Sequence, residues 1–305
     1  MTAVYTLDLN FQGIPRVIAA YLIKHATGAA LVESGPGSTL AGLKAALKPH
    51  DLTVEDITDV LLTHIHLDHA GAAGWLARHG DHGQGARIYA HPNGRAHLLN
   101  PEKLINSATR IYGPLMDQLW GELLAVPEDK LIVIQDQQEI VIDHLRFCPI
   151  DAPGHAEHHY VYRLEDTLFT GDVGGIRLPG PPHLRVPMPP PEFQLERWRA
   201  SLKKMQEARC KQIAPTHFGL YADPERHFEM LQRGLDEVEA FMIETLPADP
   251  PAPAISDKFM QWTGARSKRE GLFDEMAGAY EAANPSWMSA TGMQRYWRKY
   301  RTTTN

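Results

Sequence analysis

The chain has 305 residues, 43% hydrophobic and 22% charged, with a net charge of −7. An acidic chain of this composition has no bulk positive field to attract phosphates, so nucleic acid is not the expected partner, and no apolar run reaches the ~18 residues that a membrane span needs. Two cysteines are too few for a disulfide framework, and the first residues lack the basic and apolar regions of a signal peptide, so the expected compartment is the cytoplasm.

Strands are expected over 4–9, 17–23 and 29–33, the last two joined by a turn at His25-Ala26-Thr27-Gly28. Ser38 then caps a helix whose Leu40, Leu43 and Leu47 share one face. Thr53 opens a second short helix, and the apolar run Val60-Leu61-Leu62-Thr63 reads as a buried strand. A helix over 71–78 and a strand over 87–90 follow. Residues 94–126 form a helical insertion in an otherwise strand-rich pattern. Strands resume over 131–134, 139–142, 145–150, 160–164 and 167–170. Residues 178–191 hold seven of the 23 prolines and make a stiff loop. A helix over 192–207, a strand over 212–214 and a long helix over 224–245 complete the body. On that last helix Phe228, Leu231, Leu235, Val238 and Met242 recur every three or four residues, as a packed face or a partner seam does. The proline-rich stretch 247–253 reads as a linker or bend, and 255–303 as helical.

Chemistry concentrates in Thr63-His64-Ile65-His66-Leu67-Asp68-His69. His64 and His66, two apart at a strand end, direct both imidazoles to one side. Asp68 and His69 follow on the turn into the next helix. Three imidazoles and a carboxylate within six positions suit zinc, iron or manganese better than a buried hydrogen-bonded pair.

His-x-His-x-Asp-His after a buried strand resembles the signature of the metallo-β-lactamase superfamily. Three later stations resemble it in order: Ala152-Pro153-Gly154-His155, Phe169-Thr170-Gly171-Asp172 and Ala214-Pro215-Thr216-His217. The resemblance runs over residues 4–220. It implies an α+β fold, a four-layer αββα sandwich, carried by a catalytic domain over 1–246, with a C-terminal helical extension over 247–305. It also implies two divalent metals, zinc first and iron or manganese as alternatives. One would sit on His64, His66 and His155, the other on Asp68, His69 and His217, with Asp172 bridging. Such a pair lowers the pKa of a bound water and polarises the carbonyl under attack. Asp68 and Asp172 are then the catalytic carboxylates, Asp68 orienting the attacking oxygen.

A carboxylate at 172 and a histidine at 66 are similar to the glyoxalase II and lactonase branch rather than to the redox diiron one. The basic C-terminal residues that would hold glutathione are not seen. Glu33 and His159 match supporting positions behind the ligands, whereas His158 reads as surface. The expected reaction is hydrolysis of a thioester, lactone or carboxylic ester of a small molecule by metal-bound hydroxide. The alternatives are a phosphodiesterase or nuclease on the same site, or a mono-iron sulfur dioxygenase. Arg177, His183, Arg185 and Tyr221 are expected to contact substrate from the roof. The 228–242 stripe, with Trp287, Tyr296 and Trp297, suggests a homodimer.

Overall fold

The computed structural model describes residues 2–302. The chain builds two sheets. The first contains β1 (Tyr5–Asp8), β2 (Ala19–His25), β3 (Gly28–Val32), β4 (Ile57–Leu61), β5 (Arg87–Ala90) and β6 (Leu131–Val133) in chain order. β1 to β3 are antiparallel and β3 to β6 parallel. The second contains β7 (Ile140–Ile142), β8 (Leu145–Asp151), β9 (Tyr160–Leu164) and β10 (Thr167–Phe169), successively antiparallel, with β11 (Gln212–Ala214) parallel to β10.

The period-2 alternation of side chains decides the layering. In β2, Ala19, Tyr21 and Ile23 turn inward, where they meet Phe147, Tyr160, Tyr162 and Phe169 of the second sheet. Ala20 and Leu22 turn outward with Leu31, Val60 and Ile88, onto α1 (Leu40–Leu47) and onto α3 (Ala73–His79), which follows the single turn α2 (Leu67–Ala70). The insertion contributes α4 (Arg95–Leu99), α5 (Glu102–Tyr112) and α6 (Met116–Trp120). On the other side Val161, Leu168 and Ile213 pack under α7 (Leu195–Glu207) and α8 (Pro224–Thr245). Helix, sheet, sheet and helix thus stack in four layers, each apolar face covered. Three further helices, α9 (Ala252–Arg269), α10 (Asp274–Ala283) and α11 (Ser286–Tyr300), pack back onto this body.

Several sequence expectations are corrected. Ser38 does not cap α1: its hydroxyl donates to the Leu119 carbonyl, and Thr39 occupies the cap position with its hydroxyl donating back to the Pro36 carbonyl rather than capping the helix. The helical insertion stops at Trp120, and 121–127 run without regular structure, Gly121 turning the chain at φ 66°. β4 ends at Leu61, so His64 and His66 stand on the loop beyond the strand. The proline-rich bend is short, since α9 begins at Ala252; the helical reading of 255–303 reaches one residue outside the described ones. The 228–242 stripe is covered inside one chain by Ile255 and Phe259 of α9 and Met293 and Tyr296 of α11, with Trp297 packed beside them. That removes the motive for a homodimer; Trp287 alone of the group keeps substantial exposure, at 39%.

Candidate metal centre

The ends of β3, β4, β8, β10 and β11 lie along one edge of the sandwich, and each strand delivers one or more polar side chains there. Two hydrogen bonds hold the sheets in register at this edge: Tyr160 N–H to the Thr63 carbonyl at 2.7 Å and Ala19 N–H to the Thr216 carbonyl at 2.9 Å. Close backbone approach is built in. Gly154 sits at φ 138° with no room for a Cβ, which would come within 2.4 Å of Trp198 Cα. Gly171, at φ 51°, packs against Thr63 and His159, and so sets the turn that carries Asp172.

Two donor groups result, His64–His66–His155 and Asp68–His69–Asp172–His217, the atoms of each lying within 4.8 Å of one another. His66 Nδ1 is 2.9 Å from both His64 Nε2 and His155 Nε2. Asp172 lies between the groups, with Oδ1 3.3 Å from His69 Nε2 and 3.5 Å from His217 Nε2, and Oδ2 3.4 Å from His155 Nε2. Asp68 Oδ2 reaches His217 Nε2 at 3.3 Å.

The outer nitrogens decide which lone pairs face inward. His155 Nδ1–H donates to the Pro187 carbonyl at 2.9 Å and His217 Nδ1–H to the Val17 carbonyl at 2.7 Å. His69 Nδ1–H donates to Glu33 Oε1 at 3.0 Å. The Thr63 hydroxyl donates to Glu33 in a short bond, which leaves its oxygen to accept from His64 Nδ1–H at 3.1 Å. Four imidazoles therefore turn their Nε2 atoms to the centre. One proton on His66 Nδ1 can satisfy only one of its two neighbours. His69 Nε2, His217 Nε2 and Asp172 Oδ1 are buried with no aligned hydrogen-bond partner. Lone pairs so concentrated repel one another unless a cation lies among them, so the donors fit a divalent metal.

Protonation follows the same division. Burial drives His64 well below the usual histidine range, and His66 down to about 3, with neighbouring imidazoles reinforcing both shifts. Burial opposes protonation of His69 too, but Asp68, Asp172 and Glu33 outweigh it and raise that pKa well above normal. Burial likewise raises Asp68, and His69 and His217 overcome it, holding the carboxyl well below its ordinary value.

The supporting residues take definite places. Glu33 is fully buried and also accepts from Thr63 N–H at 3.3 Å and the Thr216 hydroxyl at 3.0 Å. His159 stacks on His64 at 4.7 Å and accepts from Val173 N–H, bracing the Asp172 turn. His158, expected at the surface, is buried: it approaches Glu192 at 3.4 Å and faces His66 edge-on at 5.5 Å. Thr63 and Thr216 carry no expectation from the sequence, although each directly precedes a ligand histidine.

The four expected substrate contacts do not line the cavity above the donors. Arg177 pairs with Asp223 through both guanidinium nitrogens, at 2.8 and 2.9 Å, and lies over the Tyr221 ring, while the Tyr221 hydroxyl donates to the Arg177 carbonyl. His183 is held by Glu270, and Arg185 by Glu281 and the face of Tyr280. Glu270 and Glu281 come from the C-terminal helical region, some ninety residues on, and commit His183 and Arg185 to fastening those helices. The cavity itself measures about 530 Å³; its walls are the insertion, the prolines at 189, 190 and 191, and the corner between α10 and α11.

The model of the metallo-β-lactamase superfamily matches residues 13–217. A metallo-β-lactamase fold-containing protein of Sulfurisphaera tokodaii is 26% identical over 229 residues, which is 74% of this chain and 81% of that protein. Among solved structures, an archaeal superfamily protein from Sulfolobus tokodaii aligns with a TM-score of 0.64 at 19% identity, covering 96% of this chain and 99% of that one. A family protein from Thermus thermophilus gives 0.64 at 20% identity, with 97% and 93% covered. The Rm3 metallo-β-lactamase gives 0.55 at 15% identity, with 77% and 90% covered. At these identities the structural likeness is one of fold.

Proposed function

This chain belongs to the metallo-β-lactamase superfamily, and we propose that within it the protein is a dinuclear metal-dependent hydrolase of an ester-type bond in a small molecule. One observation carries the reading: seven donor side chains from four chain segments converge, and four of the five imidazoles have their outer nitrogen tied to a fixed acceptor. His64, His66 and His155 would hold one ion and Asp68, His69 and His217 the second, with Asp172 shared. Divalent ions there, zinc by the imidazole–carboxylate chemistry and iron or manganese as the other fits, supply Lewis-acid activation of water and of the scissile carbonyl.

The chain's own residues do the rest. Asp68 is the carboxylate most open to the cavity, its side chain 15% exposed against 6% for Asp172. It is placed to accept a proton from the attacking water and to orient the remaining lone pair toward the substrate carbonyl. Glu33, Thr63 and Thr216 hold His69 and His64 at fixed tautomer, which keeps the donor set ready before substrate arrives. The apolar walls exclude bulk water around the reacting bond.

A phosphodiester reading is less well supported, because no arginine lines the cavity among the described residues. Metal-loaded protein should hydrolyse carboxylic esters, lactones or thioesters, and Asp172→Ala should reduce turnover on the order of 100-fold or more. Wild-type turnover by a folded Asp172→Ala, or activity confined to phosphodiesters, would remove the proposal.

A further inference from the structure

The cavity over the donors is walled mainly by apolar side chains: Leu104, Ala108 and Tyr112 of α5, Trp120 of α6, Met288 of α11, and Ile65 near the floor. The aromatic members brace one another. Trp120 stacks on Phe11 at 5.6 Å and meets Tyr112 edge-on at 5.1 Å, and Tyr112 stands 6.3 Å from Trp287. Away from the donors the charged liners are Lys103, Glu192 and Glu281. Lys103 is exposed, whereas Glu281 is bound by Arg185 and the Ser286 hydroxyl, and Glu192 accepts from Glu157 N–H. An anionic group carried into this space would find no guanidinium among the described lining residues, only the exposed ammonium of Lys103, with Glu192 and Glu281 opposing it. Among the uncharged polar liners, which include Gln12, Asn93, Ser107 and Asn284, the Tyr112 hydroxyl stands over the pocket with only a weak acceptor as its partner among the described residues, Met288 Sδ at 3.8 Å. A volume of about 530 Å³ lies within the range that encloses most of a drug-sized ligand.

We infer that the substrate, on the hydrolase reading above, is an uncharged ester or lactone with an extended apolar acyl group, which lies between α5 and the α10–α11 corner. The reacting carbonyl sits over Asp68 and Asp172 and the chain runs along Ala108, Trp120 and Met288. The C-terminal helices are thus part of the specificity pocket, and the buried arginine they engage, Arg185, holds that wall in place.

Binding and hydrolysis are measured separately on the full metal-loaded chain. Calorimetry with non-hydrolysable methyl ketones, from butanone to 2-decanone, reads the pocket alone; p-nitrophenyl esters of the same lengths read the reaction. Affinity for the ketones is expected to tighten about fourfold per methylene until the cavity is filled. A terminal carboxylate on the longest ketone should weaken binding at least tenfold. Ala108→Leu and Ala282→Leu narrow the space from two sides, the second at a half-buried position that tolerates added bulk, and should move the plateau to shorter chains. Flat affinity across the series, equal or tighter binding of the carboxylate, or a plateau unmoved in both folded variants would each overturn the inference. Length-dependent ketone binding without ester hydrolysis supports the pocket and removes the hydrolase reading. Ester hydrolysis with no length dependence does the reverse.

Discussion

Replacing Glu33 by glutamine changes one atom in a fully buried hub. The carboxylate accepts four bonds: His69 Nδ1, Thr63 Oγ1 and Thr216 Oγ1 converge on Oε1, and Thr63 N–H reaches Oε2. A glutamine carbonyl can take the Oε1 place, but its amide nitrogen then confronts the Thr63 N–H, donor against donor, at 3.3 Å. One bond to a charged acceptor is lost, at about 1.5–3 kcal/mol, and the other three drop toward neutral strength. Relief from burying a carboxylate offsets part of this, so Glu33→Gln should lower unfolding stability by about 2–4 kcal/mol. His69 would then donate to a neutral oxygen and become a poorer ligand, and metal affinity should fall about 10- to 100-fold. Urea unfolding of stripped protein and chelator competition on loaded protein measure the two effects. Stability within about 0.5 kcal/mol of wild type together with unchanged metal affinity would refute the assignment of Glu33 as the organiser of the donors.

Burial lowers His227 to about 4, with its ring nitrogen donating to the Gly174 carbonyl at 2.7 Å. Its folded pKa lies below the unfolded value near ~6.5, so its contribution is complete above that pH and is lost as pH falls toward 4, about 3 kcal/mol in all. The urea midpoint of His227→Gln should therefore depend less on pH across that window than that of wild type; equal dependence would contradict this. Gly154→Ala has no space for its methyl against Trp198 and should lose about 2–3 kcal/mol, with metal retention impaired through the neighbouring His155. Full metal content and stability in that variant would show that the backbone there adapts. Arg185→Ala removes a buried guanidinium from its pair with the partly exposed Glu281, which keeps its bonds to Ser286, and should lower unfolding stability by about 1–2 kcal/mol, with KM for an anionic ester raised no more than for its neutral counterpart. A large rise in KM with intact stability would return Arg185 to the substrate.

The cluster at 64–69 was legible because four donor-type side chains follow one apolar strand, whereas His155, Asp172 and His217 stood out only through the resemblance to the superfamily, since each is a lone residue after its strand. The individual strands and helices were legible from periodicity, and their stacking into four layers from the resemblance. Boundaries shifted where pairing, rather than composition, ends an element: Leu62 keeps a single bond to β5, its N–H donating to the Tyr89 carbonyl, and Thr63, equally buried, turns its carbonyl to Tyr160 of the second sheet. The substrate residues were misread for a reason of distance. Arg177, His183 and Arg185 look unpaired in their own segment, and the carboxylates that claim them, Asp223, Glu270 and Glu281, lie 46 to 96 positions on. The α10–α11 corner as a pocket wall, and the carbonyls of Val17 and Pro187 as acceptors for ligand histidines, arise from tertiary packing and have no local signature.

The central claim is that two complete donor groups share Asp172. Elemental analysis of protein purified without chelator, compared with His217→Ala, tests it most directly. Wild type should approach two transition-metal ions per chain and His217→Ala about one, since the His64–His66–His155 group is untouched by the substitution. A well-occupied wild type holding one ion, unchanged in His217→Ala, would contradict the dinuclear account.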